Sequence, residues 1–194
     1  MSPCISDSNS PYKIGYVILV LTLCSLCAYF ITDYANKLHI HTLLNGEIPG
    51  SYAILFELSS ISTAFIPYLI GAFLFTTIKL MLVDIFDEQI SKTNLWLMIG
   101  IGLTPMLIED YFYWFNLIYY ADANTIRTIE DFLNLKYSFN LSISDFKTLN
   151  IFCWCLLYLT MILFLYIKSY PLYKVLLSTL LPSIFVILAY YWLS

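Results

Sequence analysis

Glu109 and Asp110 sit side by side in TPMLIEDYFYWF (residues 104–115), inside one of the most apolar parts of the chain. Adjacent carboxyls in such surroundings can carry a proton or cation, contact a partner, or tie helices together. A carboxylate in hydrocarbon costs roughly 2.5–3.5 kcal/mol on insertion scales, so something must hold it there. A second reactive pattern is Cys24-x-x-Cys27, the spacing of a dithiol pair. A redox pair must be reachable by a partner thiol, whereas a cysteine in an apolar helix is also simply a small apolar side chain. The packing reading is preferred here, because both lie in the middle of an apolar run. Cys4 falls in a polar tail, and Cys153 and Cys155 in a later apolar segment. His39 and His41 are the only histidines and are expected in a solvated loop. No Cys/His cluster has zinc spacing, so no metal and no cofactor is expected. Neither H-E-x-x-H nor G-x-S-x-G occurs. Gly100-x-Gly102 follows no strand and reads as a packing feature, not a nucleotide loop.

The elements that position these residues follow from composition. The 194-residue chain is 60% hydrophobic and 11% charged. Soluble domains have about 25% charged residues, and a globule of this size cannot hide so much apolar surface. The fold class is therefore an all-α integral membrane protein. The net charge of −4 and the lack of any basic run exclude a nucleic-acid footprint and a polybasic lipid switch.

Residues 1–13 read as a polar tail without a signal-peptide cleavage pattern, and 14–194 as a single helical membrane domain. About five spans are expected, at 14–32, 59–82, 95–117, 151–167 and 175–193. Residues 33–50 read as a loop ending in the turn-prone NGEIPG, and 51–58 as an interfacial lead-in. Within the longest polar region, 118–149, apolar residues at helical spacing over 124–136 predict an interfacial amphipathic helix. Residues 168–174 form a tight turn between the last two spans.

The second span is rich in small residues, with Ser60 and Ala64 four apart and Gly71 further on. That spacing lets helix backbones approach closely. Pro67 predicts a kink. In the third span, only 14 residues separate Leu95 from Ile108, about 21 Å of helix against a hydrocarbon core of about 30 Å. The two acids thus lie in the membrane or at a shallow end followed by an aromatic belt, YFYWFNLIYY. Glu109 shares its helix face with Gly102, Pro105, Tyr113 and Asn116 and is expected to point inward. There it should meet the Ser60–Ala64–Gly71 face or a tyrosine hydroxyl. Pro105 frees the carbonyl of Ile101, which gives a local polar group to satisfy. Asp110 shares an apolar face with Leu103, Met106, Trp114 and Leu117, and is expected to reach headgroups or a partner chain.

Asn150, Phe152 and Trp154 resemble the Asn-x-Phe-x-x-Trp with which bacterial members of the Yip (Ypt-interacting) family enter their fourth helix, although Trp154 stands one residue early. The basic turn Lys168–Lys174 and Pro182 in the last helix resemble that family too, as does Pro105 in the middle of the chain. The likeness covers about 60–194 and lacks the eukaryotic D-L-Y-G-P motif, so small-GTPase and vesicle roles do not follow. It implies an all-helical membrane subunit with a cytoplasmic N-terminus that works through partners.

The leading expectation is a non-enzymatic membrane subunit or scaffold in a larger complex, accessory to an exporter or envelope machine. Its partners are membrane lipid and another protein or a second copy. One alternative is a small stand-alone transporter or flippase using intramembrane Glu109. Another is a membrane thiol oxidoreductase using Cys24 and Cys27. Abundant Ile, Phe and Tyr, and Lys over Arg, point to an AT-rich genome and a bacterial inner membrane. Asn140-Leu141-Ser142 is a glycosylation sequon only in a eukaryotic host.

Five spans put Lys13, Lys79, Lys92, Lys168 and Lys174 on one side and Lys37, Arg127, Lys136 and Lys147 on the other. The first set lies close to span ends and marks the cytoplasmic side. Reporter fusions should accordingly place Lys92 and Lys168 inside and Asp131 outside; finding Asp131 and Lys168 on one side removes a span from this arrangement.

Overall fold

A computed structural model of the chain describes residues 11–44, 50–121, 126, 131 and 134–193. Most of the tail, residues 45–49 and most of the expected 124–136 helix lie outside the described residues. The side chains of His39 and His41 lie outside them as well. The elements are α1 (Pro11–Leu44), α2 (Gly50–Ala64), α3 (Ile66–Lys79), a π-helical turn (Leu80–Ile85), α4 (Lys92–Tyr120), a 3-10 turn (Ser138–Asn140), α5 (Ile143–Ile167) and α6 (Leu172–Leu193). No strand occurs among the described residues. Four segments are long and apolar enough to cross a membrane: Pro11–Leu38, Tyr52–Ile85, Lys92–Tyr120 and Ile143–Ile167. α6 carries a shorter apolar stretch, Leu172–Pro182.

The helices run further than their apolar cores, which corrects several expected boundaries. Residues 33–44 are not a loop but the last turns of α1. Their polar side chains form helix-face contacts: Lys37 pairs with Asp33 one turn earlier at 2.6 Å, and Tyr34 donates to the carbonyl of Ala121 at 2.7 Å. Residues 51–58 are not a separate lead-in either, since α2 carries them into a crossing segment. That segment breaks at Phe65, just before Pro67, whose ring nitrogen has no proton for the Thr63 carbonyl. The Phe65 N–H bonds Ser62 O at 3.2 Å, and helix resumes with Leu69 N–H to Phe65 O at 3.0 Å.

α5 starts at Ile143, eight residues before the expected span, because Ser142 caps it. The Ser142 N–H donates to Asp145 Oδ2 at 2.7 Å, as does its hydroxyl at 2.6 Å, a capping-box arrangement with Asp in the acidic position. Its other end closes on Ser169 at φ 67°. Ser169 N–H bonds Tyr166 O at 2.9 Å and Tyr170 N–H bonds Leu165 O at 3.3 Å, the paired bonds of a Schellman motif, and Pro171 then prevents continuation.

The chain divides into two compact units, and most helices contribute to both. The first holds Met1–Leu21, Ile70–Thr104 and Leu156–Ser194. Its interior is Ile78, Leu82, Leu95, Met98, Ile99, Met161, Leu165 and Val175, all essentially inaccessible. Glycines set the helix spacing. A Cβ on Gly100 would lie 3.0 Å from Val17 Cγ2 and 3.4 Å from Val17 Cα, and one on Gly102 would lie 3.4 Å from Leu157 O. The two glycines therefore bring α4 against α1 on one side and α5 on the other. Gly71 admits Leu21 and Trp96, and Trp96 stacks on Phe75 with ring centroids 4.6 Å apart. Tyr16 and Thr104 share a 2.6 Å hydrogen bond.

Polar connectors meet at one end of this unit. Lys13 Nζ donates to Asn94 Oδ1 at 3.3 Å. Lys174 Nζ pairs with Glu88 at 2.6 Å, bonds Phe86 O at 3.2 Å and lies over the Phe86 ring. Tyr170 donates to Gln89 O at 2.6 Å. The start of α1, the 86–91 connector and the start of α6 are thus one polar edge.

The second unit holds Thr22–Leu69 and Pro105–Cys155. Here α1 meets α2 through side-chain hydrogen bonds. Asn36 Nδ2 donates to Ser60 Oγ and to Phe56 O, each at 3.1 Å, and Thr63 donates to Thr32 at 3.0 Å. Leu38, Leu117, Ala121 and Ile126 form its buried apolar cluster.

Gly100→Val should lower the thermal stability of the detergent-solubilised protein by about 1–3 kcal/mol through overpacking against Val17. Gly15→Ala, with nothing within 4 Å of its added carbon, should leave it unchanged or slightly raised. Equal effects of the two substitutions would refute the close α1–α4 contact.

Candidate functional site

The adjacent carboxyls lie in the second unit, on α4. Glu109 is 15 residues along α4 from Asn94, about 22 Å at 1.5 Å per residue, within a segment long and apolar enough to cross a membrane. Its side chain is 6% exposed. Asn150, on α5, donates from Nδ2 to Glu109 Oε2 at 2.9 Å. The partner expected from sequence, the small-residue face of the second span or a tyrosine hydroxyl, is therefore replaced by an amide. Ser60 is instead engaged by Asn36, while Gly71 belongs to the first unit. Residue identity alone could not rank these partners; in the sequence Asn150 appeared only in the Asn-x-Phe pattern at the entrance to the fourth span.

Asp110 is more accessible than Glu109, as expected, being half-buried where Glu109 is buried. Its face of α4 is mixed: Leu103 and Leu117 are buried, while Met106 and Trp114 are part-exposed. The outward face carries Ile108, Tyr111, Phe115, Ile118 and Tyr119. Asp110 is half-buried and an electrostatic neighbour of Cys24 and Cys27. Glu109 is likewise a neighbour of Tyr113 and Cys153. The fold thus gathers both acids, Asn150 and three buried, unpaired cysteines around one level of α4. Among the described residues no group of three or more His, Cys, Asp or Glu is arranged to hold a metal ion.

One turn beyond Glu109, aromatic rings take over. Tyr113 packs on Phe146 with centroids 4.9 Å apart, and Tyr137 meets Phe146 edge-on at 5.3 Å. Burial in this cluster pushes the Tyr137 phenol above its ordinary pKa, so it stays protonated. Its hydroxyl has no hydrogen-bond partner among the described residues. The expected aromatic belt is therefore split: Tyr111, Tyr119 and Tyr120 are exposed, while Tyr113 packs inward.

Asn116, fully buried, fastens the next segment to α4. Its Nδ2 donates to Phe112 O at 2.7 Å, and its Oδ1 accepts from the Ser138 N–H at 2.9 Å and from the Ser138 hydroxyl. The turn it holds carries Phe139 at φ 57° and Asn140 at φ 61°. Asparagine tolerates that left-handed region; a bulky phenylalanine is an outlier there. No pattern in the sequence marked Ser138 or Phe139, because neither has a helical or turn signature of its own.

No family model, curated protein or solved structure matches the chain.

Asn150→Leu should destabilise the protein by about 1–3 kcal/mol, because it strands a buried carboxyl. The double substitution Glu109→Leu with Asn150→Leu should recover much of that loss, since two apolar partners leave nothing unsatisfied. Additive losses in thermal unfolding would mean that the two side chains do not depend on each other.

Proposed function

We propose that the chain is a non-enzymatic, five-helix membrane subunit or scaffold that acts through a protein partner or a second copy, as an accessory to an exporter or envelope machine. The observation that carries this reading is the engagement of Glu109 by Asn150: the carboxyl most suited to transport chemistry already joins α4 to α5. Other interior polar groups follow the same pattern, with Tyr16 on Thr104, Asn36 on Ser60 and Asn116 on Ser138. Side chains used as interhelical ties make a rigid framework rather than a reactive centre. The fifth span in this reading is α6, whose 22 residues extend about 33 Å. The interaction surface in this reading is the exposed apolar flanks of the helices together with half-buried Asp110. The Yip-like pattern from Asn150 to Pro182 agrees with a partner-dependent subunit, an inner-membrane location and a cytoplasmic N-terminus.

A transporter or flippase is the second reading. It is favoured by Asp110, a half-buried carboxyl beside Glu109 at the same depth. The thiol-enzyme reading has weaker support, because Cys24 and Cys27 are both buried.

Purification in mild detergent decides between the first two. The expected result is a complex with another protein or a second copy, retained in Glu109→Gln, which keeps shape and hydrogen bonding without charge. A monomer that moves NBD-labelled phospholipid across vesicles, and loses that activity in Glu109→Gln, would replace the scaffold with the transporter.

A further inference from the structure

Phe139 is 88% exposed, the most open large apolar side chain described, and sits in the left-handed region that disfavours it. Such a conformation persists only where the surroundings impose it. They do so here: fully buried Asn116 clamps Ser138 by both its N–H and its hydroxyl, which fixes the next side chain pointing away from the unit.

The level of the turn identifies what meets it. From Asn94, the last polar residue before the apolar run of α4, to Asn116 the helix advances 22 residues, about 33 Å. A hydrocarbon layer of about 30 Å that begins near Asn94 ends close to Asn116. The clamped turn therefore stands at the far membrane interface. Its backbone suits that place, because four of its five donors are paired within the protein. Tyr137 N–H bonds Leu141 O at 2.9 Å, Asn140 N–H bonds Tyr137 O at 3.0 Å, and Leu141 N–H bonds Ser138 O at 3.3 Å. The Ser142 N–H goes to Asp145. Irregular backbone with its donors satisfied internally can enter the interface at little desolvation cost. Apolar surface also continues from the turn toward the crossing part of α5. An open groove there is lined by Leu141, Phe146, Leu149 and Phe152, with Asp145 and Thr148 at its polar side. Ile151 and Phe152 are exposed beyond it.

We propose that the 137–141 turn is an interfacial anchor that binds membrane phospholipid, with the Phe139 ring among the upper acyl carbons and one acyl chain along the Leu141–Phe152 groove. Lipid is preferred to a protein partner because the apolar strip runs without a break into a segment apolar enough to cross the membrane. Exposed Lys147 lies on the same stretch, where a phosphate would meet it.

The full chain, reconstituted in phosphatidylcholine–phosphatidylglycerol vesicles, carries the photoreactive phenylalanine analogue p-benzoylphenylalanine in place of Phe139. Irradiation should yield an intact-mass adduct of one phospholipid. A cross-link to protein, or no adduct from a correctly inserted chain, overturns the proposal. Phe139→Trp gives a second measurement that survives poor folding of the first variant. Its added emission over wild type should be blue-shifted and quenched at least twofold more by lipids brominated near the headgroup than by aqueous acrylamide. The reverse order overturns the proposal. A lipid adduct at Phe139 leaves the rest of the surface free for a protein partner, so the scaffold reading is tested separately by the purification.

Discussion

A polar group inside hydrocarbon has no water to turn to, and that constraint organises this protein. Each of the four segments apolar enough to cross a membrane carries polar side chains, and several of these meet one another. Glu109 finds Asn150, Tyr16 finds Thr104, and Thr63 finds Thr32. In lipid there is little hydrophobic drive between helices, so hydrogen bonds of this kind and close packing of small residues must supply the association. The same constraint explains why serine and threonine hydroxyls without an interhelical partner, such as Thr76 and Thr77, bond the carbonyl one turn back.

Close packing is the second half of that answer. Gly100 and Gly102 are two residues apart, so they open nearly opposite sides of α4. One accepts the backbone of α1 at Val17 and the other that of α5 at Leu157. With α4 gripped on both sides, its Pro105 can be tolerated inside a continuous helix.

Much of this was readable from residue order, though not its boundaries. The apolar runs gave the crossing segments, Pro67 the break, and the small residues a reason for close contact. The ends were misjudged where polar residues belong to helix faces. Asp33, Asn36 and Lys37 look like loop chemistry, yet each has a helical partner once α1 continues. The start of α5 was missed for a similar reason, since Ser142 and Asp145 read as polar linker until the cap is recognised. Helix periodicity shows which residues share a face, not which part of that face another helix covers, so the buried Leu103 and Leu117 beside half-buried Asp110 were not separable in the sequence.

The sequence by itself determined the helical class and the rough positions of four helices long and apolar enough to cross a membrane. These depend on composition and on period along the chain, which are local properties. It also determined that Glu109 needed a partner, because the cost of an unheld carboxyl does not depend on the fold. Only the tertiary structure decided that the partner is Asn150, that Asp110 is an electrostatic neighbour of Cys24 and Cys27, and that Asn116 clamps Ser138 and so turns Phe139 outward. Each of those pairings joins residues 22 to 86 positions apart. Many polar residues were equally eligible for each at the level of sequence, and only the packing of the helices selects among them.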